Sequence, residues 1–259
     1  MSPLTILVVP TYNEQDRLQL NRFAAFESAG VHLIFIDDGS TDATAAMLRA
    51  VADPPSIEVL TLSRNLGKAE AVRLGLRRAL ERGAGVVGYM DADLATSEGE
   101  MIRLVGMLNG RGDLEVILGA RVGLLGRTIA RRPVRHYVGR LYATVAAAVL
   151  KCRVYDTQCG AKVFRASPTL WQAVATPFGS RWAFDVELLG RLRVGTRATP
   201  ALPTESFLEV PLETWVDVPG GKLTLLSAFR ATLDLLTVPN RLRSYRSTEI
   251  PVSDGKRAG

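Results

Sequence analysis

The chain has 259 residues, of which 47% are hydrophobic and 22% are charged, and it carries a net charge of +6 at pH 7. This composition is typical of a globular protein with a sizeable core and argues against intrinsic disorder. The two cysteines, Cys152 and Cys159, are too few for a disulfide framework, and no histidine pair lies near them to complete a zinc site. No basic leader precedes the first apolar run, and no run reaches the roughly 18 residues of a membrane span. These features predict a cytoplasmic protein.

Short runs rich in Val and Ile alternate with amphipathic stretches over the first 120 residues. The runs predict strands, and the stretches between them predict helices. Because strand–helix–strand repeats build parallel sheets with right-handed crossovers, we expect an α/β fold with a mostly parallel sheet flanked by helices. The predicted strands are Leu4–Val9, Val31–Ile36, Ile57–Leu62, Val86–Met90 and Glu115–Gly119. The predicted helices are Glu14–Ala29, Ala43–Ala52, Lys68–Arg82 and Ser97–Leu108.

The alternation stops after residue 120. Arg127–Leu150 predicts a long basic amphipathic helix, and Trp182–Val194 and Lys222–Leu236 predict two further helices. Ala161–Phe164 and Phe207–Val210 predict strands. We expect one domain over residues 1–243, with a nucleotide half (1–120) and an acceptor half (121–243). The polar residues 244–259 are expected to form a mobile tail.

Two carboxylates follow the fourth predicted strand, in the run Val86-Val87-Gly88-Tyr89-Met90-Asp91-Ala92-Asp93. The first polar residues after a buried parallel strand emerge at the carboxyl edge of the sheet, where open α/β folds bind ligands. Carboxylates as close as Asp91 and Asp93 repel each other unless a cation lies between them. Mg²⁺ and Mn²⁺ prefer oxygen ligands and share them with diphosphates. The pair therefore predicts a metal–diphosphate site, with a helix cap or a turn as the alternative.

Polar residues also follow the first three predicted strands, at the same edge of the sheet. Tyr12 follows the first strand and can stack on a base. Asp37 follows the second strand and can accept a hydrogen bond from a base N–H. Lys68 stands beside Gly67 at a predicted helix N-terminus, where a phosphate binds favourably. The remaining polar residues of the second cluster are more simply interpreted as turn and helix-cap residues: Asp38, Ser40 and Asp42.

The positive charge is unevenly distributed along the chain. Residues 111–165 contain eleven Lys or Arg and three acids, a local excess of eight positive charges. Such a region can serve a phosphorylated substrate, an anionic membrane surface or nucleic acid, or it can be a solvated face. No nucleic-acid-binding motif is present and no aromatic residues are interleaved with the basic ones, so we expect no nucleic-acid partner.

The chain has neither a Walker loop nor a Gly-x-Gly-x-x-Gly sequence, which argues against a P-loop NTPase and a nicotinamide enzyme. The strand-end clusters instead resemble the motif series of the inverting GT-A glycosyltransferases. These clusters are Val9-Pro10-Thr11-Tyr12-Asn13-Glu14, Asp37-Asp38-Gly39-Ser40-Thr41-Asp42, Asn65-Leu66-Gly67-Lys68 and Asp91-Ala92-Asp93. Later segments resemble the dolichyl-phosphate β-glucosyltransferase group, and the resemblance covers roughly residues 4–238. They are Asp156-Thr157-Gln158-Cys159-Gly160-Ala161-Lys162-Val163-Phe164, Arg181-Trp182-Ala183-Phe184-Asp185-Val186-Glu187-Leu188-Leu189, and Trp215 with Gly220-Gly221-Lys222-Leu223.

This resemblance implies a GT-A fold and metal-dependent, inverting transfer of glucose from UDP-glucose to a polyprenyl phosphate. Asp91 and Asp93 would hold Mg²⁺ or Mn²⁺ on the diphosphate. Eukaryotic members of the group usually carry a membrane helix, and because none is visible in this sequence we expect a peripheral position on the inner membrane face. Leu124, Leu125 and Ile129 would contact the membrane interface. The residues implied to hold the nucleotide sugar are Pro10, Tyr12, Glu14, Asp37, Lys68, Asp91 and Ala92.

Two kinds of acceptor fit the sequence. A lipid phosphate is already an anion near pH 7, so it needs cations rather than a base, and Arg121 and Arg131 are the main candidates, followed by Arg132 and Arg135. A hydroxyl acceptor needs a general base, for which Asp185 is the candidate.

Alternatives remain open at this point. One is a soluble glycosyltransferase that uses a small hydroxyl acceptor or a GDP-mannose donor, and another is a nucleotide-binding module without catalysis. A further alternative is that Asp185 and Glu187 cap their helix or form ion pairs within it.

Overall fold

The computed structural model describes residues 3–53, 55–130, 133–218 and 225–248. Its strands are β1 (Thr5–Thr11), β2 (Val31–Asp37), β3 (Ile57–Thr61), β4 (Val86–Met90), β5 (Val116–Ala120), β6 (Thr128–Ala130), β7 (Ala161–Arg165), β8 (Phe207–Pro211) and β9 (Thr214–Val216). Its helices are α1 (Ala24–Ser28), α2 (Thr44–Ala50), α3 (Lys68–Glu81), α4 (Glu98–Asn109), α5 (Pro133–Leu150), α6 (Pro168–Ala173), α7 (Phe184–Val194) and α8 (Leu225–Arg246). Within these residues one large sheet has the order β3-β2-β1-β4-β7-β5-β8, and β6 pairs with β9 in a small sheet.

The large sheet is mostly parallel and carries helices on both faces, as the sequence predicts. Alternate residues of β1 face opposite sides: Val8 packs in a core with α3, α5, α7 and α8, whereas Leu7 packs in a second core with α1 and α4. Because the central strands β1, β2 and β4 are covered on both sides, they read as nearly continuous apolar runs.

Strand β7 is the exception to the parallel arrangement. It lies antiparallel between β4 and β5, although both of those strands precede it in the chain. Its register places Lys162 opposite Tyr89 of β4 and opposite Leu118 of β5. A strand from the predicted acceptor half therefore lies inside the sheet of the predicted nucleotide half.

The predicted helix over Glu14–Ala29 is wrong in its first part. The segment begins as a loop, and only a 3₁₀ turn (Leu20–Phe23) and the short α1 follow. The backbone N–H of Glu14 donates to Thr44 Oγ1 at 2.8 Å, at the start of α2. The N–H groups of Arg17 and Leu18 close a single turn on the Glu14 carbonyl, but this turn does not continue as a helix.

The predicted helix over Arg127–Leu150 also begins too early. Thr128–Ala130 forms β6, which pairs in parallel with β9, and α5 starts at Pro133. Proline suits the first turn of a helix because its missing N–H would have no partner there. Arg131 and Arg132 lie outside the described residues.

The last helix extends further than the predicted Lys222–Leu236. Helix α8 continues to Arg246, past residue 244, where the sequence predicts a polar tail. The reason is packing, because Val238, Leu242 and Tyr245 recur at helical spacing and are buried. In the part of the chain that the structure describes, no helix is both long and apolar enough to cross a bilayer.

Candidate active site

The carboxyl ends of β2, β1 and β4 lie side by side, because these strands are neighbours in the sheet. Tyr12 follows β1, Asp37 ends β2 and Asp91 follows β4, so the three predicted site residues share one edge. Lys68 joins them as the first residue of α3. This arrangement is the crevice at which open α/β sheets bind nucleotides.

Hydrogen bonds fasten the loop after β1 to the loop after β2. Asn13 has a positive φ of 51°, and its backbone N–H donates to Ser40 Oγ at 3.0 Å. The Asn13 side chain accepts from the Thr41 N–H at 2.8 Å, and Asp42 Oδ1 accepts from the Thr44 N–H at 2.9 Å. Ser40 and Asp42 thus have the turn role that the sequence favours, and they hold the half-buried Tyr12 in place.

Asp37 is fully buried, and only one of its two carboxylate oxygens accepts a hydrogen bond in the described part of the chain. Its Oδ1 accepts from the Ser40 N–H at 3.0 Å. Its Oδ2 is buried and has no hydrogen-bond partner among the described residues. A buried carboxylate oxygen without a donor is costly, so this atom is suited to a ligand N–H.

The neighbouring Asp38 has a structural role. Its two oxygens accept from the backbone N–H groups of Leu66 at 2.7 Å and Gly67 at 2.8 Å. Burial raises the pKa of Asp38, and these two hydrogen bonds oppose that effect. Asp38 therefore ties the end of β2 to the loop that presents Lys68.

Lys68 and Asp91 form an ion pair across the crevice, with Lys68 Nζ bonded to Asp91 Oδ1. Both side chains are more than a third exposed, so a ligand can reach the pair. Partial desolvation alone would raise the pKa of Asp91, but Lys68 outweighs it and the pKa is lowered. Desolvation likewise opposes the charge of Lys68, yet Asp91 and Asp185 raise its pKa. Both groups are therefore ionised at neutral pH.

Within the described ranges, Asp93 makes no ion pair of the kind that Asp91 makes with Lys68. Its Oδ1 accepts from the Ala95 N–H at 3.1 Å, and its pKa is raised by burial and by the charge of Asp91. Such a carboxylate favours a nearby cation. Among the described residues no group of three His, Cys, Asp or Glu side chains could form a metal cage by itself. The residues fit an ion that takes most of its ligands from phosphate oxygens and water, as Mg²⁺ commonly does.

Gly160 approaches the same carboxylate from the loop before β7. A Cβ at this position would lie 2.1 Å from Asp91 Oδ2 and 2.4 Å from its Cγ. Because that space is already taken by the carboxylate, only glycine fits there. The conformation of the 156–160 loop and the position of Asp91 are thus linked.

Asp185 lies in the first turn of α7 and is 6% exposed. Its Oδ1 accepts from Lys162 Nζ at 2.7 Å and from the Tyr89 hydroxyl. Lys162 has no exposed surface and also donates to the Cys159 carbonyl at 2.6 Å. The candidate base is therefore one member of a buried charged cluster, formed by Asp185, Lys162 and Tyr89, directly beneath the strand end that carries Asp91.

Arg121 follows β5 and is held on two sides. Its guanidinium donates to both oxygens of Asp156, at 2.6 and 2.7 Å, and lies 5.3 Å from the ring centroid of Trp215. The fork-like pairing with Asp156 fixes its orientation. Trp215 is 9% exposed and packs in the core.

The remaining predicted site residues are more peripheral. Pro10 lies in β1, Ala92 is buried between the two acidic residues, and Glu14 pairs with Arg17 at 2.6 Å. Glu187 forms an ion pair with Arg191 of the same helix at 2.7 Å, in agreement with the alternative that it pairs within its helix. Arg131 lies outside the described ranges, and so does the side chain of Arg135.

Sequence reasoning assigned no site role to Gly160, Lys162 or Arg181. Gly160 and Lys162 were part of a motif, but their contacts with Asp91 and Asp185 depend on β7 being inserted next to β4. A lysine within an otherwise apolar strand was the available signal, because such a residue needs a buried partner.

Solved structures share this fold at low sequence identity. S. aureus TarS in complex with UDP-GlcNAc superposes with a TM-score of 0.51 at 15% identity, covering 93% of this chain and 70% of TarS 1-349. The mannosyltransferase PcManGT from Pyrobaculum calidifontis, in complex with GDP-Man and Mn²⁺, gives 0.51 at 16% identity, covering 98% and 78%. The fold is that of the GT-A glycosyltransferases.

Sequence comparison gives the family. The sequence model of glycosyl transferase family 2 matches residues 6–170, and the chain belongs to that family. A dolichyl-phosphate beta-glucosyltransferase of Drosophila melanogaster is 33% identical over 242 residues, covering 84% of this chain and 68% of that protein. A Trichomonas vaginalis protein of the same description is 27% identical, covering 96% and 76%. A polyprenol monophosphomannose synthase of Mycolicibacterium smegmatis is 30% identical, covering 62% and 61%.

Proposed function

We propose that this glycosyltransferase transfers glucose from UDP-glucose to a polyprenyl phosphate, with inversion and with a divalent cation, at a membrane surface. An oxygen of the acceptor phosphate forms a bond to the anomeric carbon, the bond from that carbon to the diphosphate breaks, and UDP leaves. The observation that carries the proposal is the edge of the sheet at which Asp37, Lys68, Asp91 and Asp93 meet.

The unpartnered Oδ2 of Asp37 supports a uracil base. Uracil presents a single ring N–H, and one free carboxylate oxygen matches one donor. Guanine presents two adjacent donors, which suit a carboxylate with both oxygens free, but Asp37 Oδ1 already accepts from Ser40. Tyr12, which follows the adjacent β1, would stack on the base.

Lys68, Asp91 and Asp93 suit the diphosphate. Lys68 is the first residue of a 14-residue helix, where an anion is stabilised by the helix dipole as well as by the ammonium. Asp93 and Asp91 would hold Mg²⁺ or Mn²⁺, which neutralises charge on the departing diphosphate. The raised pKa of Asp93 supports this assignment, because burial and the charge of Asp91 disfavour its ionised form and a bound cation would offset both effects.

The state of Asp185 favours a phosphate acceptor over a hydroxyl. Asp185 Oδ1 already accepts two hydrogen bonds, from Lys162 and Tyr89. Taking a proton from an acceptor hydroxyl at this oxygen would break at least one of them. A phosphate acceptor needs no base, and the names of two similar proteins, which contain dolichyl-phosphate and polyprenol, agree with that choice.

Exposed leucines support contact with a membrane. Leu124 is 49% exposed and Leu125 is completely exposed in the loop between β5 and β6, close in sequence to Arg127. Apolar tips flanked by basic residues suit an anionic lipid surface. Ile129 is partly buried against the core and contributes less to such a contact.

The test is a transfer assay with purified protein, Mn²⁺, radiolabelled UDP-glucose and farnesyl phosphate. We expect an organic-extractable glucosylated product that disappears in the Asp93→Ala variant. The matched control is Asp53→Ala, because Asp53 is exposed and remote from the crevice. Product formed from GDP-mannose but not from UDP-glucose would overturn the donor assignment, and UDP release only with hydroxyl acceptors would overturn the acceptor assignment.

A further inference from the structure

Arg181 lies at the mouth of the crevice, immediately before α7. Its guanidinium rests on Gly67, where a Cβ would lie 2.5 Å from Nε and 2.7 Å from Nη2. Gly67 has a φ of +95° and precedes Lys68, the residue that pairs with Asp91. Arg181 is thus packed against the N-terminus of α3 and beside the site of the proposed diphosphate.

Unlike the other cations of the crevice, Arg181 makes no direct ion pair among the described residues. Asp38 acts on it only through its charge, because both Asp38 oxygens accept from the backbone of Leu66 and Gly67. Its Nη2 donates to the neutral Asn65 side chain at 2.9 Å, and the residue is exposed. By contrast, Lys68 pairs with Asp91 and Arg121 with Asp156. A planar guanidinium that is held in place without a directly bonded carboxylate is suited to a phosphate.

Apolar surface adjoins this arginine. Trp182 is 39% exposed, and Leu233 and Leu236 of α8 are 48% and 65% exposed. Leu233 and Leu236 are three residues apart and therefore neighbours on one helix face. The Ser180 hydroxyl donates to Asp234 Oδ2 at 2.5 Å, which fastens the segment carrying Trp182 to α8 beside Leu233.

We propose that Arg181, Trp182 and the α8 leucines form the acceptor subsite, a proposal that rests on the proposed function. Arg181 binds the phosphate of the acceptor near the diphosphate of the donor, and Trp182, Leu233 and Leu236 contact its isoprenoid chain. The subsite combines one cationic side chain with exposed apolar side chains. An anion with one long apolar tail has its charge at the crevice and its tail over the exposed apolar face.

Arg181 is better suited to bind the acceptor phosphate than Arg121, which follows β5. Arg121 is already neutralised by Asp156, so binding a second anion there would compete with an existing bidentate pair. Arg181 would give up only one hydrogen bond, to a neutral amide.

The test compares Arg181→Gln and Arg181→Lys with Arg49→Gln, which removes an exposed arginine from α2. Calorimetry measures binding of farnesyl phosphate, farnesol and inorganic phosphate, each with UDP present, and kinetics give KM for both substrates. We expect Arg181→Gln to raise Kd and KM for farnesyl phosphate about tenfold and to leave KM for the sugar nucleotide unchanged. Arg181→Lys should recover part of the loss, and thermal unfolding should be unchanged.

Contact with the isoprenoid chain is tested by two variants, Trp182→Ala and Leu233→Ser/Leu236→Ser. Their control is Val216→Ser on β9. We expect the first two to weaken farnesyl phosphate more than citronellyl phosphate, because the shorter chain makes fewer contacts, and Val216→Ser to weaken neither. A higher KM for the sugar nucleotide with unchanged farnesyl phosphate binding in Arg181→Gln would place Arg181 in the donor site and overturn the inference. If the unaltered protein binds no farnesyl phosphate and forms no lipid product, the proposed function fails as well.

Discussion

Gly160 lies directly against the carboxylate of Asp91, so closely that a Cβ at position 160 would be 2.1 Å from Oδ2. The Gly160→Ala substitution must therefore displace Asp91 and weaken its ion pair with Lys68. Because displacement of a catalytic group by about 1 Å can reduce rates about 100-fold, we expect a loss of that order in kcat/KM.

The control for this prediction is Gly106→Ala. Nothing lies within 4 Å of a Cβ at Gly106, which is in α4, so we expect full activity and a gain of roughly 0.5–1 kcal/mol in the free energy of unfolding. Steady-state kinetics and urea unfolding measure both variants. Full activity in Gly160→Ala would show that the position of Asp91 does not matter for transfer.

Asp93→Asn should stabilise the metal-free protein while abolishing activity. The folded-state pKa of Asp93 is raised, so above that pKa its charge opposes folding, and this cost disappears as the pH falls below the unfolded value near 3.8. Asn removes the charge and keeps an acceptor for the Ala95 N–H. Since Asp93 is partly exposed, we expect the gain at pH 7 to be less than about 1 kcal/mol.

The same pair of proteins tests the metal site. Mn²⁺ should raise the Tm of the unaltered protein and not that of Asp93→Asn, because binding to the folded state alone shifts the unfolding equilibrium. The Mn²⁺-induced shift should shrink as the pH falls towards the raised pKa of Asp93, since the protonated carboxyl is a poor ligand. Equal Tm shifts in both proteins would locate the ion elsewhere.

Asp37→Asn should weaken UDP binding without unfolding the protein. Asn can still accept from Ser40, but it places an N–H₂ group where Oδ2 lacked a donor, facing the N–H of the base. Loss of a charged hydrogen bond of about 1.5–3 kcal/mol raises Kd by roughly 10–100-fold. Calorimetry with UDP measures this, with Asp42→Asn as the control for a change in the adjoining turn. An unaltered Kd would mean that the base does not reach Asp37.

Lys162→Met should destabilise the protein strongly. It leaves Asp185 buried without its ammonium partner, and breaking a buried ion pair costs about 3–5 kcal/mol. The double variant Lys162→Met/Asp185→Leu removes both charges and should recover a large part of that loss. Urea unfolding of Lys162→Met, Asp185→Leu and the double variant gives the coupling energy. A single variant as stable as the unaltered protein would rule out a structural role for the pair.

Sequence patterns were sufficient for the parts of the fold that rest on local signals. Continuous apolar runs located β1 to β5, and polar residues at their ends located Asp37, Lys68 and Asp91 at one edge. The three-residue β6 was missed because its strand signal is short and its partner, β9, lies more than eighty residues later in the chain. The loop at Glu14 was misjudged because it forms only one turn, and its backbone N–H is bound by Thr44, which is distant in the sequence.

The finer organisation of the site depends on long-range packing. Nothing in the local sequence around Lys162 or Asp185 indicates that the two side chains meet, because their pairing requires β7 to lie beside β4 and α7 to cover it. The support of Arg121 by Asp156 and Trp215 likewise joins three distant segments. Residue types were predictable, and their partners were not.

The insertion of β7 between β4 and β5 has a consequence for how the chain folds during synthesis. A nascent chain that ends at residue 120 contains β4 and β5 but lacks the strand that joins them, so both edges stay open. The centre of the sheet can be closed only after Arg165 has left the ribosome, and the edge strand β8 is added later still. We therefore expect a fragment of residues 1–120 to aggregate or to bind chaperones, whereas a fragment that includes β7 can close the centre of the sheet.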